Sequence, residues 1–241
     1  MIKSQKKIIA VVSARGGSKG IPKKNIKKLN GYPLIYYTLN TLSKEKRINK
    51  IVFSSEDEKI INVARKFKLD LEISKRPKYL AKDQTPLTSV AQYESNKLNE
   101  NGYKHDFVLQ VSAASPFLSL KTLDKIINLL IMKNKDCVVT LKRIEHEHPY
   151  RSKILNKDNS FEPFIKNINV EKFISRQDLP TLFCTSGSVY ARSYNLLSKF
   201  TGKDFCLGEK PCGVLVSDIE SINIDRKIDF EFAQFIMKNK K

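Results

Sequence analysis

Cysteines, long apolar runs and acidic side chains are all scarce in this sequence. No two of its four cysteines form a CxxC pair, and their positions are Cys137, Cys184, Cys206 and Cys212. Because disulfide frameworks and zinc sites usually need closely spaced pairs, we expect a reduced, cytoplasmic protein. No stretch reaches the roughly 20 apolar residues that cross a bilayer. Behind the basic first residues only residues 8–12 are apolar, which is too short for the core of a signal peptide. The sequence therefore predicts no membrane partner.

The shortage of acidic residues leaves a strongly positive chain. Lysine and arginine number 44 against 25 aspartate and glutamate residues, giving a formal net charge of +19. A field of this sign attracts nucleic acid or anionic small molecules. The cations are spread along the whole chain and no nucleic-acid-binding motif accompanies them. We therefore expect anionic small substrates and no nucleic-acid partner.

Apolar strands alternate with amphipathic helices along most of the 241 residues. This order is typical of a Rossmann-like α/β fold, with a mostly parallel sheet covered by helices on both faces. The alternation stops at about residues 146–185, where polar residues and three prolines predict short strands and turns. We therefore predict one domain, residues 1–241, with a small inserted subdomain at about 146–185. The predicted strands are residues 8–12, 50–55, 69–73, 106–111, 137–141, 188–191 and 213–216; the predicted helices are residues 33–42, 55–67, 88–98, 120–132 and 228–237.

A glycine-rich basic loop follows the first predicted strand. Residues 13–25 read S-A-R-G-G-S-K-G-I-P-K-K-N, with four cations and no carboxylate. Glycines let the backbone turn and approach a ligand closely, and a loop of this kind at the end of a strand suits a polyphosphate. The spacing matches neither the P-loop nor the dinucleotide-binding fingerprint. The loop therefore predicts nucleotide chemistry of another class.

Five motifs in a fixed order identify a family. They are A-R-G-G-S-K-G-I-P-x-K-N-I at 14–26, R-P-x-x-L-A-x-D at 76–83, A-S-P-F-L at 114–118, R-Q-D-L-P at 176–180 and S-I-N-I-D at 221–225. Together they resemble the CMP-sialic acid synthetases, the acylneuraminate cytidylyltransferases, and the resemblance extends over about residues 8–236. Residues 112–116 are more similar to the pseudaminate-type members.

The resemblance implies transfer of CMP from CTP to the anomeric hydroxyl of a nonulosonic sugar acid, with release of pyrophosphate. It also implies Mg²⁺ as cofactor, a nucleotide-diphospho-sugar transferase fold, and a homodimer. The segment 146–185 would then be a dimerisation and sugar-binding subdomain, so that the partner subunit completes the sugar site.

Individual residues take roles from the matching motif positions. The implied catalytic residues are Arg15, Lys19, Lys24 and Asp225. The implied nucleotide-binding residues are Ala14, Arg15, Gly16, Gly17, Ser18, Asn25, Arg76, Thr88 and Ser112. The implied sugar-binding residues are Arg151, Arg176, Gln177 and Ser186, and the implied metal ligands are Asp225 and Asn223. Loop cations can neutralise the charge that grows on departing pyrophosphate, and an arginine fork suits a sugar carboxylate.

The sequence departs from the family at the metal site, where the usual Asp-x-Asp pair is Asn223 and Asp225. An amide oxygen can ligate Mg²⁺ but brings no charge, so we expect weaker metal affinity. Two alternatives stay open at this point. The acceptor could be an eight-carbon sugar acid or a sugar phosphate, or the protein could be a catalytically weak relative that binds nucleotide or nucleic acid.

Overall fold

The fold is built on a seven-stranded sheet. A computed structural model describes residues 6–239, so residues 1–5 and 240–241 of the predicted domain lie outside the described residues. The strand order is β11-β7-β10-β6-β1-β4-β5. These strands are β1 (Ile8–Ser13), β4 (Ile48–Ser55), β5 (Glu72–Lys75), β6 (Phe107–Ser112), β7 (Cys137–Arg143), β10 (Phe183–Ser193) and β11 (Cys212–Leu215). Two short strands, β2 (Lys28–Leu29) and β3 (Tyr32–Pro33), form a separate ribbon.

Helices cover both faces of this sheet, as predicted. On one face α1 (Leu34–Ser43), α2 (Glu58–Arg65) and α4 (Leu120–Met132) share a core with the sheet. On the other face α3 (Leu87–Glu100) and α5 (Tyr194–Ser198) pack against β1 and β6. The last helix, α6 (Lys227–Asn239), buries Phe230 and Ala233 in a third cluster near the glycine-rich loop.

The strands pair mostly in parallel because helical crossovers connect them. β1 lies between β4 and β6 and is parallel to both, with all of its apolar residues buried. β10 is the exception, since it is antiparallel to both β6 and β7. The predicted strand at 188–191 is the middle of this longer strand.

The third predicted strand begins and ends later in the chain than the sequence pattern indicates. The prediction of residues 69–73 was wrong in its bounds, because the backbone pairs with β4 only from Glu72 to Lys75. Leu69 and Leu71 are apolar because they pack against the core from the preceding connection. Partial burial, and not strand geometry, produced the pattern there.

The segment from 146 to 182 contains short elements only. It begins with a 3₁₀ turn (Pro149–Arg151) and a hairpin of β8 (Lys153–Leu155) and β9 (Phe161–Pro163), and two further 3₁₀ turns follow at Val170–Phe173 and Arg176–Asp178. Several of its large apolar side chains face solvent, namely Leu155, Phe161, Phe164 and Ile174. Its role in dimerisation stays a prediction.

All four cysteines are free thiols. Across residues 6–239, none of the helices combines the length and the apolar character that crossing a membrane requires.

Candidate active site

A cleft of about 370 Å³ opens where β1, β5 and β6 end. The glycine-rich loop and the connection from β5 to α3 both contribute to its lining. Ligands of open α/β sheets bind beyond the carboxyl ends of the strands, so the cleft lies where the loop predicts it. The predicted site residues in its lining are Arg15, Ser18, Lys19, Lys24, Asn25, Arg76, Ser112, Asn223 and Asp225.

Asp83 holds two cations of the glycine-rich loop. Its carboxylate oxygens lie 2.8 Å from the Arg15 guanidinium and 2.5 Å from the Lys19 ammonium. The hydrogen bond from Lys19 lowers the pKa of Asp83 below its ordinary value, and Arg15 adds to the effect. A phosphate group that binds these two cations must compete with the Asp83 carboxylate.

Lys24 joins the loop to the segment before α6. Its ammonium donates to the Ile224 carbonyl oxygen at 2.6 Å and to Asp225 Oδ1 at 2.8 Å. Gly20 passes so close to the same segment that a Cβ there would lie 2.3 Å from the Asp225 carbonyl oxygen. Only glycine therefore fits at this crossing without a backbone shift.

Glu56 connects the loop to the buried Arg76. It follows β4 directly; Oε1 accepts from the Gly16 N–H, and Oε2 accepts from Arg76, both at 2.8 Å. The Arg76 side chain is only 2% exposed. Its Nε and NH1 atoms are buried and have no hydrogen-bond partner among the described residues. Arg76 thus borders the cleft with two buried guanidinium nitrogens that lack a protein partner within residues 6–239.

Hydrogen bonds also fix the position of Asn223 and of the loop backbone. Asn223 Oδ1 accepts from the Ser112 hydroxyl at 3.0 Å, and the next residue, Ile224, donates its N–H to the Ala114 carbonyl at 2.9 Å. On the other side, the buried Asn25 donates to the Arg15 carbonyl at 2.8 Å. The segment 223–225 is thus held across the end of β6.

A second cleft, of about 680 Å³, adjoins the first one. The two share Asn223 and Asp225, and the predicted sugar residue Ser186 lines the second. Asp229 at the start of α6 accepts backbone N–H bonds from Asp225 at 3.1 Å and from Arg226 at 2.8 Å. Although burial opposes the shift, the hydrogen bonds from Arg226 lower the pKa of Asp229. The charged Asp229 thereby anchors the backbone of Asp225.

Comparison with known proteins decides the family. The model of the cytidylyltransferase family matches residues 9–209 of the chain. The chain belongs to the cytidylyltransferase family. A pseudaminic acid cytidylyltransferase of Campylobacter jejuni is 30% identical over 96% of this chain and 97% of its own. An N-acylneuraminate cytidylyltransferase of Danio rerio is 30% identical over 94% of this chain, which spans half of that longer protein.

A solved structure supports the fold of this cytidylyltransferase. CMP:2-keto-3-deoxy-manno-octonic acid synthetase, solved with CTP, superposes with a TM-score of 0.69 at 14% identity and covers 98% of the chain. The predictions of the family, of a nucleotidyltransferase, and of a mostly parallel nucleotide-diphospho-sugar transferase sheet are confirmed.

Other predicted site residues of the cytidylyltransferase lie beside the clefts or away from them. Ala14 is buried, its N–H bonded to Ser54, and Gly16 is engaged by Glu56 as described. Thr88 lies on α3 one residue past Leu87, which lines the first cleft. A Cβ at Gly17 would meet no atom within 4 Å.

The predicted sugar-binding residues of the subdomain have local partners. Arg151 donates to the Ile174 carbonyl at 2.8 Å, and Arg176 pairs with Glu145. Gln177 Oε1 accepts from the hydroxyl of Ser175, the residue that precedes the 3₁₀ turn. Within residues 6–239, none of these three residues lines either of the two clefts. Their roles remain predictions.

The predicted metal ligands provide oxygen donors at the junction of the two clefts. Asp225 is 67% exposed at its side chain, with one oxygen held by Lys24. Within the part of the chain that the structure describes, no three His, Cys, Asp or Glu side chains cluster as metal ligands. An all-oxygen set of one carboxylate and one amide fits Mg²⁺, which keeps several waters and takes its remaining ligands from phosphate oxygens.

Sequence reasoning missed three site residues. Glu56 and Asp83 contact the residues around the first cleft, and Lys142 lines the second cleft. Glu56 falls inside the predicted helix at 55–67, and Asp83 is the last position of the motif at 76–83. For Glu56 a signal was available, because it is the first residue after a strand whose carboxyl end faces the cleft.

Proposed function

We propose that this cytidylyltransferase transfers CMP from CTP to the anomeric hydroxyl of a nonulosonic sugar acid and releases pyrophosphate. The observation that carries the proposal is the pair of adjoining clefts: a basic one at the loop and a larger one that shares Asn223 and Asp225 with it. One cleft suits a nucleoside triphosphate and the other suits its acceptor. The relatives named for pseudaminic and N-acylneuraminic acid support the acceptor class.

The first cleft offers complementary groups for both ends of CTP. The cations Arg15, Lys19 and Lys24 can bind the phosphates. Nε and NH1 of Arg76 are buried beside the cleft without a protein partner among the described residues, and we propose that they donate to two acceptors of the base once it is bound. Cytosine presents adjacent acceptors at O2 and N3, whereas uracil carries a hydrogen on N3. A buried guanidinium therefore favours cytosine, because a donor facing a donor would remain unpaired.

The reaction needs charge neutralisation more than covalent help from the protein. The sugar hydroxyl attacks the α-phosphorus in line with the leaving pyrophosphate, and negative charge grows on the bridging oxygen. Lys24 is the best-placed cation, since its ammonium is already fixed by two hydrogen bonds. A pre-positioned cation pays no reorganisation cost during the reaction.

We propose that Asp225 and Asn223 hold Mg²⁺ together with the substrate phosphates. When bound, the ion would neutralise phosphate charge and favour departure of pyrophosphate. The single carboxylate predicts weaker affinity than a pair would give. Ser112 keeps the Asn223 amide in place by its hydrogen bond.

We further propose a homodimer in which the 146–185 segment of one subunit completes the sugar site of the other. The exposed apolar side chains of that segment support an interface there. In that assembly Arg151, Arg176 and Gln177 would approach the partner's acceptor.

The expected result for Arg151→Ala or Arg176→Ala is a raised KM for the sugar acid with the KM for CTP unchanged. An unchanged KM for the acid would contradict the assignment. A cytoplasmic location stays a prediction.

The decisive experiment is pyrophosphate release from CTP and Mg²⁺ with a panel of acceptors. The panel contains sialic, legionaminic and pseudaminic acids, an eight-carbon sugar acid and a sugar phosphate. Release with a nonulosonic acid is expected. Release only with the eight-carbon acid or the sugar phosphate would establish the alternative acceptor, and CTP binding without any release would contradict the proposed activity.

A further inference from the structure

We propose that the second cleft binds the acceptor in one orientation, with its carboxylate at Lys142 and an apolar substituent against Ile228 and Phe232. The inference rests on the proposed function and deepens it. It assigns groups within a single subunit that select a sugar acid carrying an acyl or deoxy methyl group.

The position of the cleft makes it the acceptor site. It shares Asn223 and Asp225 with the nucleotide cleft, so a molecule bound there lies next to the phosphates. Its volume of about 680 Å³ falls in the range of small-molecule sites. Thr185 and Ser186 supply hydroxyl groups in its lining, which suits a polyhydroxylated chain.

Charge identifies the residue that binds the acceptor carboxylate. Two cations line the second cleft, and one of them, Arg226, is paired with Asp229 at 3.1 Å. The other is Lys142, which is exposed near the end of β7. Its ammonium has no ion pair or hydrogen bond with another residue in the range 6–239. Lys142 is therefore the cation in this cleft that is available to an acceptor carboxylate.

Two apolar side chains form a separate part of the lining. Ile228 and Phe232 lie four residues apart on α6, so they share one face of the helix. They line the cleft and are 59% and 52% exposed. The helix itself is held firmly, because Phe230 and Ala233 are buried on its other side. This fixed apolar wall suits a methyl-bearing substituent better than a hydroxylated one.

The wall is tested by discrimination between matched acids. One pair consists of N-acetyl and N-glycolyl forms of an acid; a second differs by a terminal methyl against a hydroxymethyl. We expect about a tenfold preference in kcat/KM for the methyl form of at least one pair, the usual scale for one apolar group in a pocket. Phe232→Ser and Ile228→Ser should reduce that preference to about twofold. Phe235→Ser is the matched control, since Phe235 is 63% exposed on the same helix but does not line the cleft.

Lys142→Gln tests the proposed contact between Lys142 and the acceptor carboxylate. The KM for the acid should rise about tenfold or more, the scale expected for a lost charge-assisted hydrogen bond, while the KM for CTP stays constant. Lys66→Gln removes the same charge from a distant exposed site past α2 and should change neither constant.

Three outcomes separate the claims. Preference and KM values that are unchanged in the variants of an active enzyme would overturn this inference and leave the proposed function standing. A wild-type enzyme that turns over no acid would overturn both. Loss of the preference without any change in the thermal midpoint supports the inference, because it excludes a folding defect.

Discussion

Glu56→Gln should weaken both the fold and nucleotide binding. The Glu56 carboxylate accepts from the Gly16 N–H through one oxygen and from Arg76 through the other. A glutamine side chain has the same shape but only one acceptor oxygen. Whichever way the amide turns, its NH₂ group faces a donor, so either the loop or the guanidinium loses its partner.

The magnitude follows from burial. The side chains of Arg76 and Glu56 are 2% and 16% exposed, so solvent screens this ion pair little. Removing one member of a buried ion pair outright costs about 3–5 kcal/mol. Since glutamine retains one acceptor, we expect a loss of about 2–3 kcal/mol, the scale of one hydrogen bond to a charged group. For a chain of this length, that is a drop of about 5–10 °C in the thermal midpoint.

Two measurements check the prediction. Urea unfolding should show the lowered stability. Titration of the intact protein with CTP should show weaker binding, because either Arg76 or Gly16 loses the partner that fixes its position. Glu58→Gln is the matched control: it lies two residues away, is 52% exposed and pairs with Lys75. Its expected effect is too small to resolve. If Glu56→Gln proved as stable as this control and bound CTP normally, the argument from the shared carboxylate would be wrong.

Three further perturbations test the neighbouring contacts. Asp83→Asn removes the carboxylate that competes with phosphate for the two loop cations, so the KM for CTP should fall several-fold; a higher KM would show instead that Asp83 positions those cations. Asn223→Asp should lower the Mg²⁺ concentration for half-maximal activity by about tenfold, because a second carboxylate joins the oxygen donors; an unchanged Mg²⁺ dependence would count against the metal assignment. Gly20→Ala places a Cβ 2.3 Å from the Asp225 carbonyl oxygen. We expect kcat to fall at least tenfold, on the scale of an active-site displacement of about 1 Å. A normal kcat would show that the loop backbone shifts without disturbing the site.

Much of this architecture could be predicted from local sequence patterns. β1 is recognisable from its continuous apolar run, which follows from its burial between two parallel neighbours. α4 is recognisable because its apolar residues recur at helical spacing. The loop after β1 is predictable as a ligand site from its glycines and its place at the end of a strand. These features depend on residues that are close together in the chain.

The unpredicted features depend on contacts between distant segments. Lys142 and Ser186 line the same cleft because β10 runs antiparallel beside β7, which no periodicity indicates. Glu56 could be interpreted as an N-terminal helix residue, a role that acidic side chains commonly fill. Its position after β4 places it near the site, but its two partners are known only from the 2.8 Å contacts to residues 40 and 20 positions away.

The pairing of cations and carboxylates suggests how the site tolerates its own charge. The glycine-rich loop contains no carboxylate, yet Asp83 and Asp225 reach its cations from two other segments. Glu56 neutralises Arg76 in the same way. Without nucleotide, these pairs limit repulsion among crowded cations. When CTP binds, phosphate must replace Asp83, so the net gain in binding is the difference between two ion pairs. Lys24 differs because it also holds the Ile224 carbonyl, which keeps the ammonium in place while its charged partner changes.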